Sequence, residues 1–310
     1  MILTAHLTAA SGTLHLANRP VMLHASLRSF GSVIDGGPDG IIGALLGRGC
    51  TVMTPAFTEP QFGVAAPADL RPARNGVDYT APPVDNPLLE AGPYSVGCRL
   101  VNPALGLLPA VLVERPDAVR GRHPLNSFAA VGPEAVEIID AQSPEDVYGP
   151  IRELADRDGV ILLIGVGLDR MTALHLAEQW SGRRMFRRWA RDIDGAVRMV
   201  EVGSCSAGFP RLEPDLGPLA RSVVVGTSRW RAFPARQALA VATATIAARQ
   251  DITRCPAAEC MLCRDAIAGG PTGCWTPRWP GPRQEERQVW STGSAKRSQP
   301  SCHGLPGVVR

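Results

Sequence analysis

One short segment of the sequence combines three side chains that could move a proton. Residues 165–178 read GVGLDRMTALHLAE, in which a buried strand pattern runs into a glycine-rich turn and then a helix. Spacing of three residues places Thr172, His175 and Glu178 along one face of that helix. Histidine titrates near neutral pH, and a carboxylate or hydroxyl beside it would fix its tautomer and raise its basicity. The segment indicates a general base or, with equal weight, a surface helix with a His–Glu pair.

A second segment has residue types that suit a phosphate group. The sequence HASLRSFG, residues 24–31, directly follows the predicted strand at Val21. A strand that ends in a turn of small and hydroxyl residues presents backbone N–H groups and serine hydroxyls outward, which favours binding of a pyrophosphate. The same pattern is also typical of simple turns, and His24 could equally be a hydrogen-bonded histidine of the core.

A basic corner and a group of cysteines complete the candidate sites. Residues 120–124, RGRHP, suit a phosphate, a ribose or a carboxylate, although a solvated basic loop is the alternative. Cys255, Cys260 and Cys263 form a C-x4-C-x2-C pattern, and Cys205 lies in the turn-like segment GSCSAG. Four thiolates on turns can bind structural zinc, but the second C-x2-C pair of a common zinc site is missing, so reduced free cysteines are the alternative.

Short apolar runs alternate with amphipathic segments through most of the chain. This alternation predicts an α/β fold with a central mixed or parallel sheet flanked by helices. Strands are predicted at residues 21–26, 50–54, 160–166, 197–202 and 222–226. Helices are predicted at residues 40–46, 133–141, 144–157, 171–180 and 235–249.

Two segments do not fit regular structure. Residues 59–97 are rich in Pro, Gly, Asp and Asn, and a connection of that length is typical of lids, binding loops or disordered inserts. Residues 269–310 show no periodicity and are predicted to be a disordered tail, which leaves residues 1–268 as one domain.

Composition argues against two classes of partner. The most apolar run, residues 159–168, is about half as long as the roughly 20 residues of a membrane-spanning helix. The first residues lack the basic segment of a signal peptide, so a cytoplasmic protein is expected. The net charge of +3 arises in the tail, where six basic residues face two acidic ones. The body is therefore nearly neutral, and nucleic acid is not an expected partner.

Read together, four segments resemble the aminoglycoside 3-N-acetyltransferase family in order and spacing. They are VMLHASLRSFGSVIDGGPDGIIGALL, GCTVMTPAFT, AVRGRHPLNSFAAVGPEA and ILLIGVGLDRMTALHLAE. The resemblance implies a compact α/β fold distinct from the general GNAT acetyltransferase fold. It also implies direct acetyl transfer from acetyl-CoA to the 3-amino group of 2-deoxystreptamine aminoglycosides, which confers antibiotic resistance. The chain departs from the family at Gly121, where a serine is usual, and before about residue 19, where the usual leading helix is not evident.

The resemblance also assigns roles to residues. His175 would be the base, and Glu178 or Glu201 would orient it or hold the acceptor, with Thr172 beside them. The CoA pyrophosphate would be held by the turn after the first strand and by the basic corner: His24, Ala25, Ser26, Leu27, Arg28, Gly31, Arg120 and His123. A polycationic acceptor needs carboxylates, and the long loop offers four: Glu59, Asp69, Asp78 and Asp85.

Two other functions remain open. The chain could acetylate a different amine, such as an amino sugar or a nucleotide-like biosynthetic intermediate, because the long loop diverges from the family. It could also be a CoA-binding homologue without activity. Either a monomer or a homodimer is compatible with the sequence.

Overall fold

The alternating apolar runs build a mixed sheet with helices on both faces. A computed structural model describes residues 1–81 and 92–272. Its strands are β1 (Pro20–Ala25), β2 (Thr51–Pro55), β3 (Gly63–Val64), β4 (Val119–Arg120), β5 (Phe128–Val131), β6 (Val160–Ile164), β7 (Phe186–Arg191), β8 (Val197–Val202), β9 (Arg221–Val225) and β10 (Ser228–Pro234). Its α-helices are α1 (Thr4–Thr13), α2 (Gly37–Leu46), α3 (Leu107–Glu114), α4 (Ala135–Ile139), α5 (Gly149–Asp156), α6 (Leu174–Trp180), α7 (Glu213–Leu216), α8 (Ala235–Ala248) and α9 (Met261–Ile267).

Seven of these strands form the main sheet, in the order β4-β5-β2-β1-β6-β10-β9. Strand β1 lies parallel to β2 on one side and parallel to β6 on the other, and the remaining pairs are antiparallel. The predicted α/β class with a mixed central sheet is confirmed. A smaller antiparallel sheet has the order β3-β7-β8.

Alternate side chains of the central strands enter two different apolar clusters. In β1, Met22 packs with the helices α4, α5, α6 and α8, whereas its neighbours Val21 and Leu23 pack with α1, α2 and α3. This division follows from the two-residue period of a strand, which sends successive side chains to opposite faces. Both faces of the sheet are therefore covered, and every residue of β6 is buried. The buried strands at the centre of the sheet therefore hold the turns that follow them in fixed positions.

The parallel pairing of β1 and β6 determines where the two main motifs lie. Ala25, near the end of β1, is in register with Ile164 at the end of β6, and the backbone N–H of Ser26 donates to the carbonyl of Ile164 at 2.9 Å. The turns that begin at Ser26 and Gly165 therefore leave the same edge of the sheet side by side. In open α/β sheets, ligands bind in the crevice at this edge.

Several elements differ from the sequence prediction, among them α1, α6 and β7. A leading helix is present as α1, although the sequence suggested that it was lacking; it packs against α2 and buries Leu7. Helix α6 begins at Leu174 rather than Met171, because residues 168–170 form a separate 3-10 turn. Strand β7, with the sequence FRRWAR, was not predicted because charged residues interrupt its apolar pattern.

The described residues all belong to one compact unit. Residues 269–272, which the sequence assigned to the tail, are part of it: Gly269 accepts a hydrogen bond from Arg184 N–H, and Thr272 N–H donates to the Ala73 carbonyl. The rest of the predicted tail, and residues 82–91 of the long loop, lie outside the described residues. No helix in the described ranges combines the length and the apolar character that a membrane span requires.

Candidate active site

A cleft of about 990 Å³ lies at the edge of the sheet where β1 and β6 end. Five of the predicted cofactor-binding residues line it, and so do the predicted base and the threonine before it: His24, Ala25, Ser26, Leu27, Arg28, Thr172 and His175. Two motifs that are some 140 residues apart in the chain are thus brought to one cavity by parallel strand pairing. A volume of this size is typical of a site for a small molecule or cofactor.

His175 and Glu178 form a hydrogen-bonded pair at this cleft. Both lie on α6, three residues apart, and His175 Nδ1 is 2.8 Å from Glu178 Oε2. Because an ionised carboxylate can only accept, Nδ1 carries the proton of this bond, which in a neutral imidazole leaves the lone pair on Nε2. The imidazole is packed between Tyr148, which stacks on it with ring centroids 6.0 Å apart, and Phe209, at 4.8 Å. A neutral imidazole held in one tautomer can accept a proton through Nε2.

Glu178 is held in its charged form inside the protein. Its side chain is only 1% exposed. Burial by itself raises the pKa of this carboxyl, but the hydrogen bond with His175, the charges of His175 and Arg183, and the Ser204 hydroxyl together lower the pKa below its usual value. Arg183 lies 2.5 Å from Oε1 and Ser204 Oγ lies 2.6 Å from Oε2. The carboxylate therefore has a fixed orientation behind the imidazole.

The backbone at Gly203 passes directly over this pair. A Cβ atom at residue 203 would lie 2.3 Å from the Tyr148 hydroxyl and 3.1 Å from the His175 ring. Only glycine lets these two rings approach the loop after β8 so closely. Burial raises the pKa of Tyr148 well above its ordinary value, and the charges of Glu178, Glu201 and Glu59 act in the same direction. The tyrosine hydroxyl is therefore neutral and can donate a hydrogen bond.

The turn after β1 supplies polar groups for an anionic ligand. Arg28 and Arg170 are both exposed and both line the cleft. Burial lowers the pKa of His24 to about 3, with a further contribution from the charge of Arg170, so this imidazole is neutral. Its Nε2 is buried and has no hydrogen-bond partner among the described residues. A buried polar atom without a partner costs free energy, and a ligand hydroxyl or amide in the cleft would satisfy it.

Other walls of the cleft are apolar or acidic. Residues 104–109, at the start of α3, contribute an apolar wall that includes Leu105, Leu107 and Leu108. Among the carboxylates that the sequence proposed for the acceptor, Glu59 lines the cleft. Asp69 and Asp78 lie on the surface away from it, and Asp85 is outside the described residues. The cleft thus offers a carboxylate, Glu59, for a positive group and two guanidinium groups, Arg28 and Arg170, for a negative one.

Two residues that were predicted to bind the cofactor, Arg120 and His123, have a different setting from the one expected. Arg120 is 6% exposed and donates to the carbonyls of Ala56, Cys98 and Leu100 and to Ser127 Oγ. His123 is fully buried, with Nε2 2.7 Å from the Glu201 carbonyl and Nδ1 accepting from the N–H of Asn126 at 2.8 Å. Burial lowers the pKa of His123 to about 4, against hydrogen bonds that raise it.

Neither Arg120 nor His123 lines the cleft, so their predicted contact with the cofactor is corrected. Arg120 ties loops together, and His123 fixes the backbone of Asn126, which does line the cleft. Gly31 also lies outside the cleft; it ends the turn after β1 with φ of 63°.

Glu201 is not the partner of His175. Its carboxylate lies 2.5 Å from Arg187, on the neighbouring strand β7, and does not line the cleft. Burial raises the pKa of Glu201, and the nearby charges of Asp146 and Glu145 add to that effect, while Arg187 opposes it. Of the two carboxylates that the sequence proposed, Glu178 is the one that contacts His175.

Several residues of the site were not identified from the sequence. Tyr148, Arg183, Ser204 and Phe209 come from four different segments, and none belongs to a motif that signals its role. Ser204 lies in GSCSAG, which attracted notice only for its cysteine. Their proximity to His175 depends on tertiary packing, which local spacing does not reveal.

Comparison with known proteins agrees with this architecture. The family model described as aminoglycoside 3-N-acetyltransferase matches residues 22–247. Aminoglycoside N(3)-acetyltransferase IX of Micromonospora chalcea is 34% identical over 220 residues, which are 62% of this chain and 73% of that protein. Aminoglycoside N(3)-acetyltransferase VIII of Streptomyces fradiae is 33% identical over 204 residues, which are 57% of this chain and 66% of that protein, just under two thirds of its length.

Solved structures share the fold. A mutant of aminoglycoside acetyltransferase AAC(3)-IVa in complex with a gentamicin has a TM-score of 0.68 at 24% identity, and the match covers 86% of this chain and 97% of that one. AAC-IIIb in a binary complex with CoASH has a TM-score of 0.63 at 22% identity and covers 80% of this chain and 97% of that one. The family match spans well over half of the sequence, and the chain belongs to the aminoglycoside 3-N-acetyltransferase family of acyltransferases.

Proposed function

We propose that this protein transfers the acetyl group of acetyl-CoA to the 3-amino group of 2-deoxystreptamine aminoglycosides and thereby confers resistance to them. The observation that carries the proposal is the His175–Glu178 pair, which lies at the same cleft as the turn His24–Arg28. Relatives named as N(3)-acetyltransferases and structural neighbours with a gentamicin or CoASH bound support it.

The residues of the cleft fit acetyl-CoA. Arg28 and Arg170 would hold the phosphates, since guanidinium groups match phosphate oxygens in shape and charge. Ser26 and the unpartnered Nε2 of His24 would receive polar groups of the cofactor, and the apolar wall at residues 104–109 would cover its uncharged arm. Acetyl-CoA supplies an activated thioester carbonyl for the reaction.

His175 would act as the general base. An aminoglycoside amine is largely protonated at neutral pH and must lose a proton before it attacks the thioester carbonyl. His175 Nε2 would accept a proton from the amine as the N–C bond forms and the C–S bond breaks, and would return it to the departing sulfur. Glu178 would keep the imidazole in the required tautomer and stabilise its positive charge, a role that oriented carboxylates play beside other catalytic histidines. No covalent acetyl-enzyme is needed.

The acceptor would be held by negative charge. Glu59 lines the cleft and lies close enough to Tyr148 for its charge to raise the pKa of that hydroxyl. A polycationic aminoglycoside would place one ammonium group near Glu59 while its reacting amine faces His175. We place the protein in the cytoplasm, where acetyl-CoA is available to it.

The test is release of CoA thiol from acetyl-CoA with a panel of 2-deoxystreptamine aminoglycosides. We expect rapid release with the native protein and a fall of at least about 100-fold in His175→Asn, the loss typical of removing a general base. His15→Asn is the matched control, because His15 is exposed, far from the cleft, and has a left-handed backbone that asparagine tolerates.

The outcome also separates the alternatives. Nuclear magnetic resonance of the product would identify the acetylated nitrogen. Binding of acetyl-CoA without thiol release from any aminoglycoside would contradict the proposed acceptor and favour a different amine. Absence of release with every amine tested would favour a binding protein without activity.

A further inference from the structure

Four cysteines from two distant segments meet next to the candidate active site. The Sγ atoms of Cys205, Cys255, Cys260 and Cys263 all lie within 4.8 Å of one another. Thiolates bound about 2.3 Å from a common tetrahedral zinc ion lie roughly 3.8 Å apart, so inward shifts of a few tenths of an ångström would complete such a site. Cys255 and Cys263 are buried, and the other two are partly buried.

The surroundings of the sulfurs are compatible with a metal site. The backbone N–H of Cys255 donates to the Sγ of Cys263 at 3.3 Å, a bond that stabilises a thiolate. Cys260 immediately precedes α9 and Cys263 lies in its first turn, so this pair has the C-x2-C geometry of a zinc knuckle. Cys205, from the loop after β8, completes the set of four with Cys255.

The four cysteines belong to two segments, around residues 205 and 255, whose neighbouring side chains hold Glu178 in place. Ser204, adjacent to Cys205, donates to Glu178 Oε2 at 2.6 Å. Thr253, two residues before Cys255, accepts a hydrogen bond from Arg183 at 2.7 Å, and Arg183 in turn pairs with Glu178 Oε1. Oε2 of Glu178 is thus held by the segment that contains Cys205, and Oε1 is held, through Arg183, by the segment that contains Cys255.

The same two segments also touch through their backbones. A Cβ atom at Gly208 would lie 2.0 Å from the Thr253 carbonyl oxygen, so the loop 203–208 lies directly on residues 253–254. A contact this close requires the two segments to keep one relative position. Coordination by ligands from both segments would provide that constraint.

We propose that Cys205, Cys255, Cys260 and Cys263 bind one zinc ion, which fastens the loop 203–208 to residues 253–263 and so positions Glu178 behind His175. The metal does not take part in the chemistry, since four thiolates fill its coordination sphere. The positioning role depends on the proposed acetyl transfer, whereas the metal site itself does not.

The metal site is tested by elemental analysis of the full chain purified without chelator. We expect one zinc ion per chain in the native protein and in Cys98→Ser, a control cysteine outside the cluster. Cys260→Ser should lose most of the zinc, and Cys260→His should retain it, because imidazole can replace one thiolate. Cobalt substitution should give the intense visible absorption of a tetrahedral cobalt thiolate. A native protein without metal, with a disulfide or four freely titrating thiols instead, would overturn the site, as would undiminished zinc in Cys260→Ser.

The positioning role is tested by kinetics on the same variants. In Cys260→Ser we expect kcat to fall about tenfold with little change in KM, together with a shifted acid limb in the pH dependence of kcat/KM. Cys260→His should restore both. Unchanged kinetics in a metal-free Cys260→Ser would refute the positioning role and leave the metal site intact. Zinc in a native protein that transfers no acetyl group would instead refute the proposed function alone.

Discussion

Exchanging each of two buried glutamates for glutamine gives the sharpest test of how the base is supported. Glu178→Gln keeps the size of the side chain but removes the charge that faces both His175 and Arg183. Glu201→Gln makes the same change at a carboxylate that pairs with Arg187 away from the cleft. The sequence proposed both residues as partners of the base, and the structure separates them.

The expected magnitudes follow from burial. Arg183 and Glu178 have side chains 6% and 1% exposed, so Glu178→Gln leaves a buried guanidinium without its counter-ion, which typically costs about 3–5 kcal/mol of folding free energy. The orienting charge behind the imidazole is also lost, and we expect kcat/KM to fall by about 10²–10⁴, or roughly 3–5 kcal/mol of transition-state stabilisation. Arg187 is 27% exposed and water can replace its lost partner, so Glu201→Gln should cost on the order of 1 kcal/mol and change kcat/KM less than about threefold.

The assay combines urea unfolding with steady-state release of CoA thiol from folded protein. Ser204→Ala serves as a milder change at the same carboxylate, because it removes a hydrogen bond and leaves the charge; we expect a fall of about tenfold. Equal losses of activity in Glu178→Gln and Glu201→Gln would refute the assignment of Glu178. Full activity in folded Glu178→Gln would show that the imidazole needs no carboxylate.

Three further predictions concern other parts of the site. Gly203→Ala should lower kcat at least about 100-fold with unchanged circular dichroism, because the new methyl group would displace Tyr148 and His175. The control Gly43→Ala, in open space on α2, should raise the free energy of unfolding by about 0.5–1 kcal/mol in urea titrations. Arg28→Ala should raise the KM for acetyl-CoA about tenfold and leave the acceptor KM unchanged, while the exposed Arg229→Ala should alter neither; an unchanged cofactor KM would argue against a phosphate contact. The folded-state pKa values of His24 and His123, about 3 and about 4, lie below the unfolded value of 6.5, so the folded protein loses stability as the pH falls below 6.5. At roughly 1.4 kcal/mol per pH unit, His123 alone should lower the free energy of unfolding by about 3 kcal/mol at pH 4. Equal urea midpoints at pH 7 and pH 5 would contradict this.

The central strands and the two main motifs could be predicted from the sequence because their signals are local. The run VILLI is continuously apolar and the run VMLHA is apolar except for His24, a pattern typical of strands buried on both faces. Each run ends in small residues, and parallel pairing then places both turns at one edge. The cavity that contains His24 and His175 follows from these facts together.

The remaining residues could not be placed because their environment depends on distant segments. In the sequence, Arg120 and His123 look like a basic corner at the surface. In the fold both are buried and form hydrogen bonds with the carbonyls of residues 56, 98, 100 and 201. The choice between Glu178 and Glu201 depends on the position of Arg187, on a strand that the sequence did not reveal. The sequence already grouped Cys205 with the C-x4-C-x2-C pattern as a candidate set of four, but their proximity depends on the fold.

The pairing of β1 with β6 also bears on the order of events during synthesis. The β6 partner of His24 is Leu163, so the two halves of the cleft cannot meet until about 140 further residues have left the ribosome. Antiparallel β10 must follow before the other edge of β6 is paired. A nascent chain stalled before residue 200 would therefore expose the apolar edge of β6 and depend on chaperones, because long-range parallel pairing is slow and its unpaired edges aggregate.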